Sequence, residues 1–256
     1  MRRLPSGAVS GPPAVMCNLY KVDTNLRRIA RDLQARIVFE FDCREIIAPR
    51  GISPGITLAG QDGRLLQPMQ FGLAPIGCKT PTHEKYALNN ARVEEIHKWP
   101  WDIPFNRSRC VVPLLAFREP CYWGGPEGQE AYFHAADMQP LFVASIYNLW
   151  QSPDGGQQIV TMSFLMRPAC RYVMENGHHR QPFLLEPDGI DEWMGGGERG
   201  VKDLMEILRT HVAEPELTHT VDRQMADSWQ RRKKMRLKNR DTQLEEIERT
   251  RRPIGI

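Results

Sequence analysis

The sequence lacks the features of a secreted, membrane-bound or zinc-stabilised protein. Its six cysteines include no C-x-x-C pair, and none lies at zinc-finger spacing from a histidine, so we expect neither a metal nor a cofactor. No apolar run approaches the roughly 20 residues that span a bilayer, and residues 5–15 are too polar for a signal peptide. We therefore expect a cytoplasmic protein with reduced thiols and no membrane contact.

A strong net charge is also absent. Lys and Arg number 34 and Asp and Glu 31, and the resulting net charge of +3 does not by itself indicate a nucleic-acid partner. The positive charge is instead concentrated in residues 231–240, where seven of ten residues are Lys or Arg and none is acidic. This stretch is compatible with a solvated basic tail, or with one that adds sequence-independent attraction for phosphates.

The chain divides into three segments. Residues 1–15 are rich in Gly, Pro, Ser and Ala without periodicity, and we expect a disordered leader that is either untranslated or removed. Residues 16–222 have the composition of one globular domain, which we expect to be monomeric. Residues 223–256 are polar and basic, and a loosely held helical tail is expected there.

The middle of the chain is rich in predicted strands. Apolar runs of strand length, separated by turn residues, occupy residues 65–70, 110–117, 131–135, 141–147 and 159–165. An apolar stripe at helical spacing follows Asp23-Thr24, which we expect to cap that helix. Because strands and helices do not alternate regularly, the pattern predicts an α+β fold: a single domain whose curled, barrel-like, mostly antiparallel sheet core is flanked by helices.

Four short motifs contain residues suited to chemistry. They are Met16-Cys17, residues 90–94 (N-A-R-V-E), Arg118-Glu119 and residues 178–182 (H-H-R-Q-P). Taken singly, each also has an ordinary interpretation: a lone cysteine is commonly a small buried hydrophobe, and a His pair after Asn176-Gly177 is compatible with an exposed turn.

Cys17 combines two reactive groups when it is the first residue of the chain. If translation starts at Met16 and that methionine is removed, Cys17 carries a free α-amine beside its thiol. An α-amine with a pKa near ~8 is partly neutral at physiological pH and attacks aldehydes. The thiolate then closes on the imine to give a five-membered thiazolidine. The ring-opened sugar of an abasic site in DNA is a natural aldehyde of this kind.

This chemistry requires further residue types. A carboxyl group or an imidazole must move protons to open the sugar and to expel water, which suits Glu119 and His178. A neutral amide, Asn90, can hold the amine without protonating it. Cations must hold the flanking phosphates, which suits Arg92 and Arg180.

These motifs, in their order and spacing, resemble the SRAP family (SOS response-associated peptidase), whose members process abasic sites in DNA. The aromatic-Gly-x-x-Pro segment at residues 71–75 and the turn at residues 52–55 add to the resemblance, which covers residues 16–222. Where the family commonly has Gly-Arg after the cysteine and tryptophans after the aromatic-Gly-x-x-Pro segment, this chain has Asn18-Leu19 and Gly77-Cys78. The chemical core is thus present, and the surface for DNA is altered.

The resemblance implies a role for each motif. Cys17 would be the nucleophile, with Asn90 orienting its amine. Glu119 would be the acid and base near the imine, and His178 would assist sugar opening and reversal of the crosslink. The arginines of the second and fourth motifs would contact the DNA backbone. The implied function is an abasic-site lyase and covalent crosslinking activity on single-stranded DNA, near the nucleoid, in DNA damage and the SOS response.

Two other functions remain open at this point. The chain is also compatible with a non-catalytic binder of single-stranded nucleic acid that retains the fold without the reaction. Alternatively, Cys17, His178 and Glu119 have the residue types of a thiol peptidase, limited in this family to removal of the protein's own leader. Crosslinking to an abasic oligonucleotide distinguishes these three functions.

Overall fold

The computed structural model describes residues 19–60, 63–83 and 86–251, with side chains described up to residue 245. The strands are β1 (Leu19–Lys21), β2 (Ala35–Ile37), β3 (Ile46–Ile47), β4 (Ile52–Leu58), β5 (Arg64–Phe71), β6 (Asn90–Arg92), β7 (Arg109–Leu114), β8 (Ala116–Pro120), β9 (Gln129–Ala135), β10 (Leu141–Gln151), β11 (Gln158–Pro168), β12 (Arg180–Pro182), β13 (Leu184–Leu185) and β14 (Leu217–Gln224). The helices are α1 (Leu26–Asp32), α2 (Asp102–Arg107), α3 (Arg171–Glu175), α4 (Ile190–Met194), α5 (Val201–Thr210) and α6 (Trp229–Arg251).

The strands form two sheets. The smaller sheet has the order β14-β9-β8-β1-β3, and the larger one β12-β11-β10-β7-β4-β5-β2, with β13 beside β10 and β6 beside β11. Among the described strands every pairing is antiparallel except β2 with β5, β5 with β11 and β6 with β11. The prediction of an α+β fold with a mostly antiparallel, barrel-like core flanked by helices is confirmed.

The larger sheet is covered on both faces, as strand β7 illustrates. Successive side chains of a strand point to opposite faces. Cys110, Val112 and Leu114 belong to the apolar cluster between the two sheets, whereas Val111 belongs to a second cluster formed with the helices. All six residues of β7 are therefore buried, which is why the sequence shows a continuous apolar run there.

The predicted single strand at residues 110–117 is in fact two strands in different sheets. Strand β7 ends at Leu114 and β8 begins at Ala116. Between them, the backbone N–H of Leu115 donates to the carbonyl of Lys21 on β1 at 2.8 Å, so the chain crosses to the smaller sheet at this point. Apolar periodicity does not detect the change of sheet because both strands are buried.

Helix α1 begins one residue later than the predicted cap. The side chain of Asn25 accepts a hydrogen bond from the backbone N–H of Arg28, which makes Asn25 the N-cap. Asp23 instead accepts from the backbone N–H of Asn25 at 2.9 Å. The expectation that Asp23-Thr24 caps the helix is thus wrong, because Asn25 is a cap former one position closer.

The basic segment of the sequence lies in α6, a helix of 23 residues. One face of this helix packs on the body of the protein, and Arg236 on that face is almost completely buried. In the part of the chain that the structure describes, no helix is both long and apolar enough to cross a membrane.

Candidate functional site

Two of the candidate residues meet where the smaller sheet approaches the end of α3. Glu119 lies near the end of β8, and His178 follows α3 after a turn. Nδ1 of His178 is 3.3 Å from Oε2 of Glu119, and neither side chain is exposed to solvent. A carboxyl group and an imidazole, 59 positions apart in the sequence, therefore form one buried pair.

Gly177 determines where His178 lies. Its φ of +115° is a backbone conformation that L side chains rarely adopt, and an added Cβ would lie 2.5 Å from the Cβ of Cys121. Its carbonyl accepts a hydrogen bond from the backbone N–H of Tyr122 at 2.9 Å. The alternative of an exposed turn is excluded, since His178 and His179 are 0% and 2% exposed.

The surroundings of His178 define its protonation. Nδ1 donates to the carbonyl of Arg180 at 2.9 Å, so the proton of the neutral ring lies on Nδ1 and Nε2 has a free lone pair. Within the described residues, Nε2 has no hydrogen-bond partner. Burial, followed by the charges of Arg236 and Arg180, lowers the pKa of His178 to about 3. The imidazole is thus neutral at physiological pH, and its unprotonated Nε2 is the ring nitrogen that can accept a proton.

The motifs at residues 90–94 and 178–182 lie along opposite edges of β11. Asn90 and Arg92 lie on β6, where Arg92 is aligned with Met166 of β11. Arg180 lies on β12, aligned with Pro168 on the other edge. The structure thus brings these motifs to one end of β11, although Glu94 and Arg180 are 86 positions apart in the sequence.

The two candidate arginines have different environments. Nη1 of Arg180 donates to both carboxylate oxygens of Glu94, at 2.6 and 2.8 Å, and the Arg180 side chain is largely buried. Arg92 is partly exposed, and its charge contributes to lowering the pKa values of His179 and Arg236, after burial in both cases. Arg92 is therefore near the site without being enclosed by it.

The sequence interpretation missed Arg236, which α6 brings to the site. Arg236 is 1% exposed, and its Cζ lies 5.7 Å from the ring centroid of Tyr122. The Tyr122 ring is in turn 6.2 Å from that of His178. A run of cations is typical of a solvated tail, so within residues 231–240 nothing distinguishes Arg236 from its exposed neighbours.

The proposed nucleophile Cys17 lies outside the described residues, and so do Met16 and the segment 1–15. The first described residue is Leu19, which pairs with Arg118 of β8. The five described cysteines carry free thiols. Burial raises the pKa of Cys121 to about 12, with Glu119 as the next cause, so this thiol is a poor nucleophile despite its position near the site. Groups of three or more His, Cys, Asp or Glu that could hold a metal are not found in the described part of the chain.

Comparison with known proteins gives relatives over much of this chain. "Abasic site processing protein HMCES" of Gallus gallus is 27% identical over 175 residues, which are 59% of this chain and 51% of the relative. "Abasic site processing protein YoqW" of Bacillus subtilis (strain 168) is 26% identical over 161 residues, which are 60% of this chain and 68% of the relative. The chain thus spans about half the length of the vertebrate relatives that it matches.

Solved structures share the fold at low sequence identity. A protein from Bordetella bronchiseptica superposes with a TM-score of 0.67 at 19% identity, covering 81% of this chain and all of that one. A protein from Bacteroides thetaiotaomicron gives a TM-score of 0.65 at 18% identity, covering 84% of this chain and 94% of that one. The model of one family, SOS response associated peptidase (SRAP), matches residues 16–228. This chain therefore belongs to the SRAP family.

Proposed function

We propose that this protein processes abasic sites in single-stranded DNA, as part of the DNA damage response, by forming a covalent bond through Cys17. Its relatives HMCES and YoqW are named for abasic site processing. The observation that carries the proposal is the buried pair of Glu119 and His178, which supplies two proton-transfer groups within 3.3 Å of each other.

Chain connectivity supports the participation of Cys17. Leu19 pairs with Arg118, the residue immediately before Glu119. Leu19, two positions after Cys17 in the sequence, thus lies on the strand beside the one that carries Glu119.

The proposed reaction begins with opening of the abasic sugar. Nε2 of His178 accepts the proton of the hemiacetal hydroxyl as the ring C–O bond breaks, and it returns this proton to the ring oxygen, which becomes a hydroxyl group as the aldehyde is released. The neutral amine of Cys17 then attacks the aldehyde carbon to give a carbinolamine. The side-chain carbonyl of Asn90 is suited to hold this amine, because an amide accepts a hydrogen bond without taking the proton.

Ring closure completes the reaction. Glu119 donates a proton to the carbinolamine hydroxyl, which leaves as water, and the C–N bond becomes a protonated imine. The thiol of Cys17 returns a proton to the Glu119 carboxylate, and the resulting thiolate adds to the carbon of the protonated imine, which gives a thiazolidine. The overall change is aldehyde plus aminothiol to thiazolidine plus one water, and no oxidant or cofactor takes part.

The arginines would hold the DNA strand during this reaction. Arg92 and Arg180 approach the site from the two edges of β11, so they can contact phosphates on either side of the damaged nucleotide. Such contacts position the strand without reading its sequence. This arrangement suits a substrate whose defining feature is a missing base.

A crosslinking assay with matched cysteine variants tests the proposal. A chain that begins at Cys17 is incubated with a single-stranded oligonucleotide containing one abasic site, heated, and separated by denaturing electrophoresis. The unchanged chain and Cys43→Ala, which alters a half-buried thiol, should form a heat-stable adduct, whereas Cys17→Ala should not. An adduct that survives in Cys17→Ala contradicts the proposed nucleophile. Reversible binding alone, in every variant, would instead indicate a non-catalytic binder.

A further inference from the structure

The packed face of α6 is rich in regularly spaced polar and aromatic residues, with Leu237 packed on the apolar core beside them. Trp229, Lys233, Arg236, Arg240 and Gln243 follow each other at intervals of four, three, four and three, which places them on one side of the helix. A helix that packs on a protein body ordinarily does so through an apolar stripe. Here the middle of the packed face is cationic. Burying a guanidinium group removes the water that solvates its charge, a cost that burying an apolar side chain does not have.

Two of these cations cover aromatic rings next to the site. Cζ of Arg236 lies 5.7 Å from the ring centroid of Tyr122, and Cζ of Arg240 lies 5.1 Å from that of Trp123. Lys233 fixes the start of the same face through an ion pair with Glu127 at 2.5 Å. Planar guanidinium groups and nucleobases both stack on aromatic rings, so these rings form a surface that a single strand can also use.

The end of the packed face engages the candidate phosphate-binding residue. In the amide orientation that satisfies both neighbours, Gln243 donates to the carbonyl of His179 at 2.8 Å and accepts from Nε of Arg180 at 3.3 Å. The carboxylate of Glu94 already accepts a hydrogen bond from Nη1 of Arg180. A phosphate held by two donors of Arg180 would use Nη2 together with Nε or Nη1, so its binding competes with that of Gln243 or of Glu94.

We infer that the surface beneath α6 receives the nucleic-acid strand, so that the helix and the strand bind there in competition. This inference rests on the proposed function and adds to it a defined surface: the rings of Tyr122 and Trp123, bordered by Arg180. The strand would displace the packed face of α6, with bases replacing guanidinium groups on the rings and a phosphate replacing Gln243.

Two measurements with undamaged oligodeoxythymidine of twenty nucleotides test the competition without allowing the covalent reaction. Fluorescence anisotropy gives the dissociation constant, and hydrogen exchange of the full chain reports on the amides of α6. Arg240→Ala weakens the hold of α6, while Arg231→Ala removes the same charge from an exposed position of the same helix. We expect α6 to exchange faster when the strand is bound. We expect Arg240→Ala to bind the strand roughly two- to five-fold tighter, as the loss of one cation–π contact predicts, and Arg231→Ala to bind it no tighter than the unchanged chain.

Two results would overturn the competition while leaving the proposed function standing. One is slower hydrogen exchange in α6 when the strand is bound. The other is an affinity of Arg240→Ala for the strand that is no higher than that of Arg231→Ala. Such results would mean that the helix clamps the strand rather than yielding to it. Failure of every one of these chains to bind the oligonucleotide would overturn both the proposed function and the competition.

Discussion

Nδ1 of His178 lies 3.3 Å from Oε2 of Glu119, in a site from which solvent is excluded. The same Nδ1 donates to the carbonyl of Arg180, so one face of the imidazole is held in place while Nε2 is left as a base. Since His178 has a strongly lowered pKa, it is neutral when it meets its substrate. This pairing of a fixed neutral imidazole with a carboxyl group is the basis of the first prediction.

Glu119→Gln should slow adduct formation by roughly 10²- to 10⁴-fold, the usual loss when a general acid or base is removed. The amide occupies the same space but cannot donate the proton that expels water. Single-turnover crosslinking at saturating protein measures the rate, and anisotropy with undamaged DNA provides the control. An effect on affinity alone, with an unchanged rate, would mean that Glu119 has no part in proton transfer.

Acid should destabilise the protein through His178. Its pKa is about 3 in the folded chain and about 6.5 in the unfolded chain, so between these values only the unfolded chain takes up the proton. The free energy of unfolding should therefore fall as the pH is lowered from 6.5, by about 1.4 kcal/mol per pH unit for this residue. Above pH 7 the residue should make no contribution to the pH dependence.

Urea unfolding at pH 7, 6 and 5 measures this dependence. His178→Gln should reduce the slope by the share of this residue, and the remaining slope includes that of His179, whose pKa burial also lowers. His97→Gln, at an exposed position, is the surface control. Equal slopes in the unchanged chain and in His178→Gln would show that His178 is not the group that titrates.

Gly177→Ala should destabilise the fold and reduce crosslinking together. The new Cβ would meet the Cβ of Cys121 at 2.5 Å, and the φ of +115° adds strain of roughly 1–3 kcal/mol. Gly125→Ala is the matched control, because a Cβ there has no atom within 4 Å. The unfolding temperature and the crosslinking rate should both fall in Gly177→Ala, and both should stay unchanged in Gly125→Ala. A normal crosslinking rate in Gly177→Ala would mean that this turn does not position His178.

The sequence anticipated the fold class, and it singled out Glu119 and His178, which the fold brings into contact, because apolar periodicity and short motifs are local signals. It did not anticipate the crossing at Leu115, since buried strands in either sheet have the same pattern. Arg236 and the pairing of Glu94 with Arg180 were missed for a different reason. Both depend on distant segments that come together only in the folded chain, and charged residues are ordinarily expected at the surface.

Glu94→Gln should strengthen binding to single-stranded DNA, because it releases Arg180 and removes a negative charge near the proposed path of the phosphates. Glu95→Gln is the control, since Glu95 pairs with Lys98 instead. Arg180→Ala should weaken binding and reduce the slope of log K against log salt by about 0.7, the value for one phosphate contact on a single strand. Anisotropy titrations at several salt concentrations measure both effects. An unchanged slope in Arg180→Ala would rule out a phosphate contact by this residue.

The most direct test of the proposed mechanism compares two forms of the chain, one beginning at Cys17 and one that retains residues 1–16 with cleavage before Cys17 blocked. A thiazolidine needs a free amine and a thiol on the same residue, and an internal Cys17 has its nitrogen in a peptide bond. Each form is incubated with abasic single-stranded DNA, and the intact mass of the heated product is measured. We predict that only the form beginning at Cys17 gives the stable adduct, at the summed mass of protein and DNA less one water. Equal crosslinking by the longer, uncleaved form would contradict it, and the thiol or a lysine would then have to act alone.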